Sequence, residues 1–251
     1  LWEGASEWQD ACQGLDWSLY QWGSVLISVG DKVFLTTSDG RCLARAAADA
    51  AWHAIDAAPQ FDRLAEWDGY LWSGSDYLGV SRLDPETEQS EYALDGLLVV
   101  MDNPDAARAY QKPSGNADYL YVGCTVSPEV AEARDFEGVT VYRLGRGDAT
   151  WENTGLDVVP EEGDLNVRGT GDYTDWGAWN VVATDGYVVC QVMIPASGFN
   201  VRCFLYDERA GTWTSLAMPE SETGWFYLAS GEPCFVRDGE FYFPTGFVAD
   251  G

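Results

Sequence analysis

DGYVVCQVMIPASGFNVRCFLYDERAGTWTSL, residues 185–216, is the stretch whose reading decides the fold. An Asp185-Gly186 turn opens it, and an apolar run follows as far as Ile194. Pro195-Ala-Ser-Gly198 turns the chain into a second apolar run. A turn from Tyr206-Asp207-Glu208 then leads to the short strand Thr212-Trp-Thr-Ser-Leu216. Asp and Gly tolerate the positive φ of a tight hairpin, and β-branched and aromatic residues suit a half-buried pleated surface. With Val181-Val182-Ala183 in front, the stretch reads as a four-stranded antiparallel meander.

The unit recurs along the chain. Its first turn has counterparts at Gly30-Asp31, Asp68-Gly69, Ala117-Asp118 and Asp238-Gly239, each followed by aromatic or β-branched residues. Short apolar segments precede these turns, the copy around Ala109-Tyr110 fitting least well. The outer half, Tyr206 to Trp213, is matched by Leu83 to Tyr92, Leu144 to Trp151 and a degenerate Leu43 to Trp52. The alanine run 46–51 is too short to stand as a helix and is read as a turn. The last copy is divided between the termini: residues 231–251 supply inner strands, and residues 1–12, with Trp8 in the place of Trp213, supply the outer half. The expected fold is therefore all-β, a five-bladed β-propeller forming a single domain over residues 1–251. Its blades fall at about 16–57, 60–95, 105–157, 176–217, and 231–251 with 1–12. Joining the termini in one blade removes an unpaired sheet edge. A part of a larger propeller is the alternative, and the opening Leu1-Trp2-Glu3, without an initiator Met, reads as a segment of a longer protein.

The tyrosine, spaced tryptophan and following Met218-Pro219 of the 206–219 segment resemble the end of a kelch repeat, and the Asp-Gly turns resemble that repeat's second strand. The paired glycines of a kelch second strand are absent from every copy. The resemblance implies a kelch-like propeller and no particular enzyme family. It also carries an exclusion: the copper oxidases built on kelch propellers use two histidine ligands, and His53 is the one histidine here.

Composition narrows the partners. The chain carries 41 acidic against 14 basic residues, a formal charge of −27, and its lysines are Lys32 and Lys112 alone. Such a surface repels phosphate backbones and anionic lipid, so neither nucleic acid nor a membrane surface is expected as a partner. Disorder, the other reading of an acidic chain, is opposed by 12 Trp, 13 Tyr and 10 Phe. No apolar run reaches the roughly 20 residues of a membrane helix. The six cysteines form no C-x-x-C pair, which argues against zinc. Cys190 and Cys203 are equidistant from the Ala196-Ser197 turn centre. A regular hairpin sets them opposite each other, as a cross-strand disulfide or as two buried thiols. That bridge, the scarcity of lysine and the kelch-like resemblance together favour an extracellular or cell-surface location.

A propeller exposes its connecting loops on one face around the central channel, where function usually sits. Trp17, Tyr20, Trp22, Tyr173, Trp176, Trp225 and Tyr227 fall in these connections, with Asp172 and Asp175 beside them. Flat rings next to carboxylates suit a sugar, whose C–H face stacks while its hydroxyls hydrogen-bond, and they equally suit a protein interface. The competing assignment places at least half of these rings in the core between blades. The Gly169-Thr-Gly-Asp172-Tyr-Thr-Asp175 loop offers oxygen ligands for calcium, but without the spaced D-x-D-x-D-G pattern an ordinary solvated turn is preferred and no cofactor is expected. Non-catalytic recognition of a glycan or protein by a monomeric domain, or by one domain of a larger chain, is the leading reading. The second is a carbohydrate-active hydrolase or lyase with paired carboxylates at the channel, Asp39, Asp76, Asp172 and Asp175 being the first to inspect. The third is a structural module of a surface protein.

Overall fold

A computed structural model describes residues 26–37, 41–46, 51–55, 63–75, 79–93, 108–110, 113–126, 139–156, 158, 177–194, 200–216, 225–228, 235–237, 240–242 and 245–248. Their regular structure is entirely β, as the alternation in the sequence requires. The chain divides into two compact units, Leu1–Ala93 and Leu94–Gly251.

The first unit holds two antiparallel meanders. One runs β1 (Leu26–Val29), β2 (Lys32–Thr36), β3 (Cys42–Arg45), β4 (His53–Ala54); the other runs β5 (Arg63–Trp67), β6 (Tyr70–Ser75), β7 (Gly79–Leu83), β8 (Ser90–Tyr92). Asp68 and Gly69 both adopt positive φ, 52° and 78°, and join Trp67 to Tyr70 as a two-residue hairpin turn whose twist matches that of its strands. Phe34, Cys42 and Ala44 of the first sheet pack with Leu64, Leu71 and Leu83 of the second and with Ile55 into one core. A slip of one residue would turn these side chains to the opposite face, at about 1.5–3 kcal/mol for each large one, so burial fixes the register. Trp72 points to the other face, is also buried, and donates its indole N–H to the carbonyl of Trp67 at 3.1 Å.

The second unit repeats the plan with a modification. Its third sheet contains β9 (Arg108–Tyr110), β10 (Ser114–Gly115), β11 (Tyr119–Val126), β12 (Val139–Gly145) and β13 (Glu152–Asn153). Both β9 and β10 pair with β11, so the first strand of this meander is broken in two. Cys124 stands opposite Tyr110 and Tyr121 opposite Ser114, a slip of one residue. Pro113, which has no N–H to give a ladder, lies at the slip. This break is why the sequence pattern is weakest around Ala109. The fourth sheet, β14 (Gly177–Thr184), β15 (Tyr187–Ile194), β16 (Asn200–Asp207), β17 (Thr212–Leu216), is the meander read from residues 181–216. The third and fourth sheets share a core of Tyr121, Val139, Val141, Leu156, Val158, Val181, Val188, Cys190, Val192 and Tyr206.

Two further pairs complete the described strands: β18 (Trp225–Leu228) with β21 (Thr245–Val248), and β19 (Phe235–Arg237) with β20 (Glu240–Tyr242). This corrects one expectation. Trp225 and Tyr227 stand on a strand and not in a connecting loop. A Trp-Phe-Tyr-Leu run has the composition that favours a pleated surface, and its antiparallel partner satisfies its backbone. Residues 1–12, expected to finish a fifth blade, lie outside the described residues, and so does Trp8.

The disulfide expectation is also corrected. Strand β15 ends at Ile194 and β16 begins opposite it at Asn200, so the hairpin is centred on Ser197 and not between Ala196 and Ser197. That half-residue offset places Cys190 opposite Phe204 and Cys203 opposite Gln191. The two thiols consequently face opposite sides of the sheet, both buried and both free. The Gln191 amide approaches the Cys203 sulfur at 3.8 Å. The argument for an extracellular location loses this support.

Candidate functional site

Each meander has connections at two ends. At one end residues 30–31, 68–69, 116–118 and 185–186 join first and second strands, and 46–52, 84–89, 146–151 and 208–211 join third and fourth. At the other end residues 37–41, 76–78, 127–138 and 195–199 join second and third strands, and residues 94–107 and 159–176 are among those that join successive sheets. Of the aromatic and acidic candidates, Trp17, Tyr20, Trp22, Asp172, Tyr173, Asp175 and Trp176 lie outside the described residues, as do Asp39, Asp76 and the Gly169–Asp175 loop. The structure thus resolves the chemistry of the tight-turn end, which sequence reading passed over.

One turn is built twice there. Asp84 Oδ1 accepts the backbone N–H groups of Glu86 (2.8 Å) and Thr87 (3.3 Å), and the Asp84 carbonyl accepts that of Glu88 (2.8 Å). Asp207 repeats this with Arg209 (2.9 Å), Ala210 (3.1 Å) and Gly211 (2.8 Å). Short Asp side chains bond readily to the backbone two and three residues on, which is what selects Asp at the start of both turns. Those backbone N–H bonds, that of Glu86 first, hold the Asp84 carboxyl below its ordinary range. The fifth residue of each turn is left-handed: Gly211 at φ 64°, and Glu88 at φ 57°.

From this turn a glutamate of one sheet reaches the preceding sheet. In the first unit Glu88 Oε1 takes Lys32 Nζ at 2.7 Å and Oε2 meets His53 Nε2 at 2.8 Å. Burial alone would raise the Glu88 carboxyl, but the hydrogen bonds and charges of Lys32 and His53 outweigh it and hold the group below its ordinary value. In the second unit Glu208 Oε1 accepts the Asn116 amide at 2.6 Å and the Tyr121 hydroxyl. Burial first, then the bond and charge of Glu208, push the Tyr121 phenol well above the ordinary tyrosine range. Asn116 also donates to the Thr184 carbonyl (3.1 Å) while its Oδ1 accepts the N–H groups of Asp118 (3.0 Å) and Tyr119 (2.9 Å). Asn thereby closes a turn for which the other copies use glycine.

Around this joint the side chains stack. Tyr206 lies 5.0 Å from Trp213 and 6.5 Å from Tyr121, ring centre to ring centre, and the Arg143 guanidinium sits 4.7 Å over Tyr119. Trp213 donates its indole N–H to Thr154 at 3.2 Å, tying the outer strand of the fourth sheet to the third. An arginine on the third strand recurs as Arg45 over Trp52 (6.0 Å) and Arg82 over Tyr70 (4.9 Å). Arg82 and Arg143 each pair directly across the ladder with a glutamate, Glu91 and Glu152. The sequence signal for this was available: both arginines precede a leucine and a turn, with a glutamate nine residues on. Chemically, these groups position sheets and offer a half-exposed cation–aromatic shelf. Among the described residues, no group of three or more His, Cys, Asp or Glu is placed to hold a metal ion, and no helix is long and apolar enough to cross a membrane.

No protein-family model and no curated protein matches the sequence. Among solved structures the chain is similar to YCF48 bound to D1 peptide, at 14% identity and TM-score 0.47, covering 86% of this chain and 59% of that one. It is also similar to the GH74 xyloglucanase from Xanthomonas campestris, at 13% and 0.47, covering 79% and 31%. The N-terminal domain of Nup159 gives 9% and 0.46, covering 76% and 46%. The chain thus spans less than two thirds of the length of each of these three.

Proposed function

We propose that the chain is a kelch-like β-propeller that recognises a glycan or protein ligand, without transforming it, through the connecting segments at the end of its blades opposite the tight turns. The observation that carries this reading is the repeated four-stranded meander. One end is closed by short, internally hydrogen-bonded turns, and among the connecting segments at the other, residues 159–176 carry Tyr173, Trp176 and three aspartates. Five blades, closed by residues 1–12 and 231–251, would set those segments around one rim. Tyr173 and Trp176, flanked by Asp172 and Asp175, have the composition of a sugar-stacking surface. An extracellular or cell-surface setting belongs to the same proposal and rests on the kelch-like pattern and the two lysines.

The test is a glycan array and calorimetric titration of each hit with the wild-type chain and a Tyr173→Ala/Trp176→Ala variant whose circular dichroism is unchanged. Saturable binding lost in the variant supports the reading. Release of reducing sugar from a bound glycan would replace recognition with hydrolysis by paired carboxylates. A folded variant that binds as the parent does would remove these rings from the ligand face.

A further inference from the structure

Glu88 and Gly211 are the fifth residues of the same hydrogen-bonded turn, and both are left-handed. Glycine takes that conformation at no steric cost, whereas glutamate there is strained and holds only where the surroundings over-determine it. The surroundings are on the neighbouring sheet. Lys32 is the first residue of β2 and His53 the first of β4, and each occupies one oxygen of the Glu88 carboxylate. The chain has one other lysine and no other histidine. Both basic partners of this carboxylate are thus drawn from a very small stock, and the strained backbone aims it between them.

We propose that Glu88 is an acid-released clasp that fastens the second sheet of the first unit to the first sheet. The charged and titratable groups facing it are Lys32 from β2, Cys42 from β3, His53 from β4, and Asp84 and Glu86 of its own turn. Asp84 is engaged by its own turn's N–H groups, and Lys32 also donates to the Glu86 carbonyl at 3.4 Å. The carboxylate is held below its ordinary value. Its contribution is therefore complete above the unfolded glutamate pKa of about 4.3 and is lost as pH falls through the lower folded value. Releasing it loosens the polar tie beside the core in which Cys42 is buried.

Cys42 is the reporter. Burial first, with the charge of Glu88 adding to it, raises its thiol to about 12, and burial raises Cys190 still further. At acid and neutral pH the thiolate fraction of both falls tenfold per pH unit, so the ratio of their reaction rates cancels that common dependence; loss of the Glu88 charge itself eases Cys42 ionisation, and Lys32→Gln, which keeps that charge, separates opening from it. Cys190 lies in the second unit and serves as the internal standard. The full chain is labelled with dithiodipyridine at about pH 7 and about pH 3.5, with site-resolved rates from peptide mass spectrometry. The Cys42 to Cys190 ratio is expected to rise by roughly threefold or more on acidification, as a local opening would produce. In Glu88→Gln, and independently in Lys32→Gln, the ratio is expected to be high at both pH values. Glu88→Gly, whose backbone suits the position, gives the same outcome if folding of Glu88→Gln is impaired. A flat wild-type ratio, or variants that keep the wild-type pH response, would overturn the proposal.

Discussion

Replacing Asn116 separates the two tasks this residue performs. Its Oδ1 closes the turn into β11 by accepting the N–H groups of Asp118 and Tyr119, and its Nδ2 bridges to Thr184 and Glu208 of the fourth sheet. A net hydrogen bond contributes about 0.5–1.5 kcal/mol, more with a charged partner, and the exposed turn N–H groups are partly rescued by water. Asn116→Ala is therefore expected to destabilise the second unit by about 2–3 kcal/mol. Asn116→Asp keeps the turn acceptor but removes the donor and sets a second carboxylate against Glu208. It should cost about 1–2 kcal/mol at neutral pH. Urea unfolding of the full chain followed by tryptophan fluorescence measures both, since Trp213 reports from the same joint. The alanine variant should shift the associated midpoint by about 1 M. If Asn116→Ala lost under about 0.5 kcal/mol, or if Asn116→Asp were as stable as the parent, the joint would not be what holds these sheets.

Three shorter predictions bear on other elements. The Tyr121 phenol is raised in the folded state, so its contribution is complete below the unfolded tyrosine pKa of about 10 and declines as pH rises above it. The urea midpoint of the second unit should fall as pH rises above about 10, less steeply in Tyr121→Phe, and equal slopes would refute the assignment. Gly211→Ala places a Cβ where nothing lies within 4 Å, so the expected loss of about 1 kcal/mol is backbone strain alone and can be read from thermal unfolding. Alkylation of the denatured, unreduced chain followed by intact mass should modify both Cys190 and Cys203, and protection of the pair would contradict their opposed facing.

The meanders were legible because two periodic signals agree: alternation along β15 and β16, and Asp-Gly turns at the spacing that alternation predicts. The disulfide was misread because hairpin register turns on loop parity. Cysteines thirteen residues apart are symmetric about a two- or four-residue loop but not about the 195–199 connection. The strand at Trp225–Leu228 was missed for another reason. An unbroken aromatic run carries no alternation and does not reveal whether it is half-buried or looped. Pro113 hid the broken strand β9–β10 in the same way, by interrupting the apolar run that marks a first strand. The joints themselves were illegible because they are non-local: Glu88 lies 56 residues from Lys32, and Glu208 lies 92 from Asn116.

The two glutamates are different solutions to one problem. Two small sheets packed together present each other with turn backbone that an apolar core cannot satisfy, and within each unit one such joint carries a polar tie. Glu208 is the second residue of its turn, reaches Asn116 and Tyr121 without backbone strain, and leaves the fifth position to glycine. In the first unit Pro85 occupies that second position and offers neither charge nor N–H, so the tie passes to Glu88, three residues on, where the backbone must go left-handed to deliver it. Neutral donors answer Glu208, whereas cationic or titratable ones answer Glu88. Salt should therefore weaken the first joint more than the second, because charge pairs at the rim are screened and hydrogen bonds to an amide and a phenol are screened much less. Raising NaCl from about 0.01 M to 1 M shortens the screening length roughly tenfold, and the Cys42 labelling rate should climb relative to Cys190 over that range. A constant ratio would mean that geometry, and not charge, holds Glu88 in place.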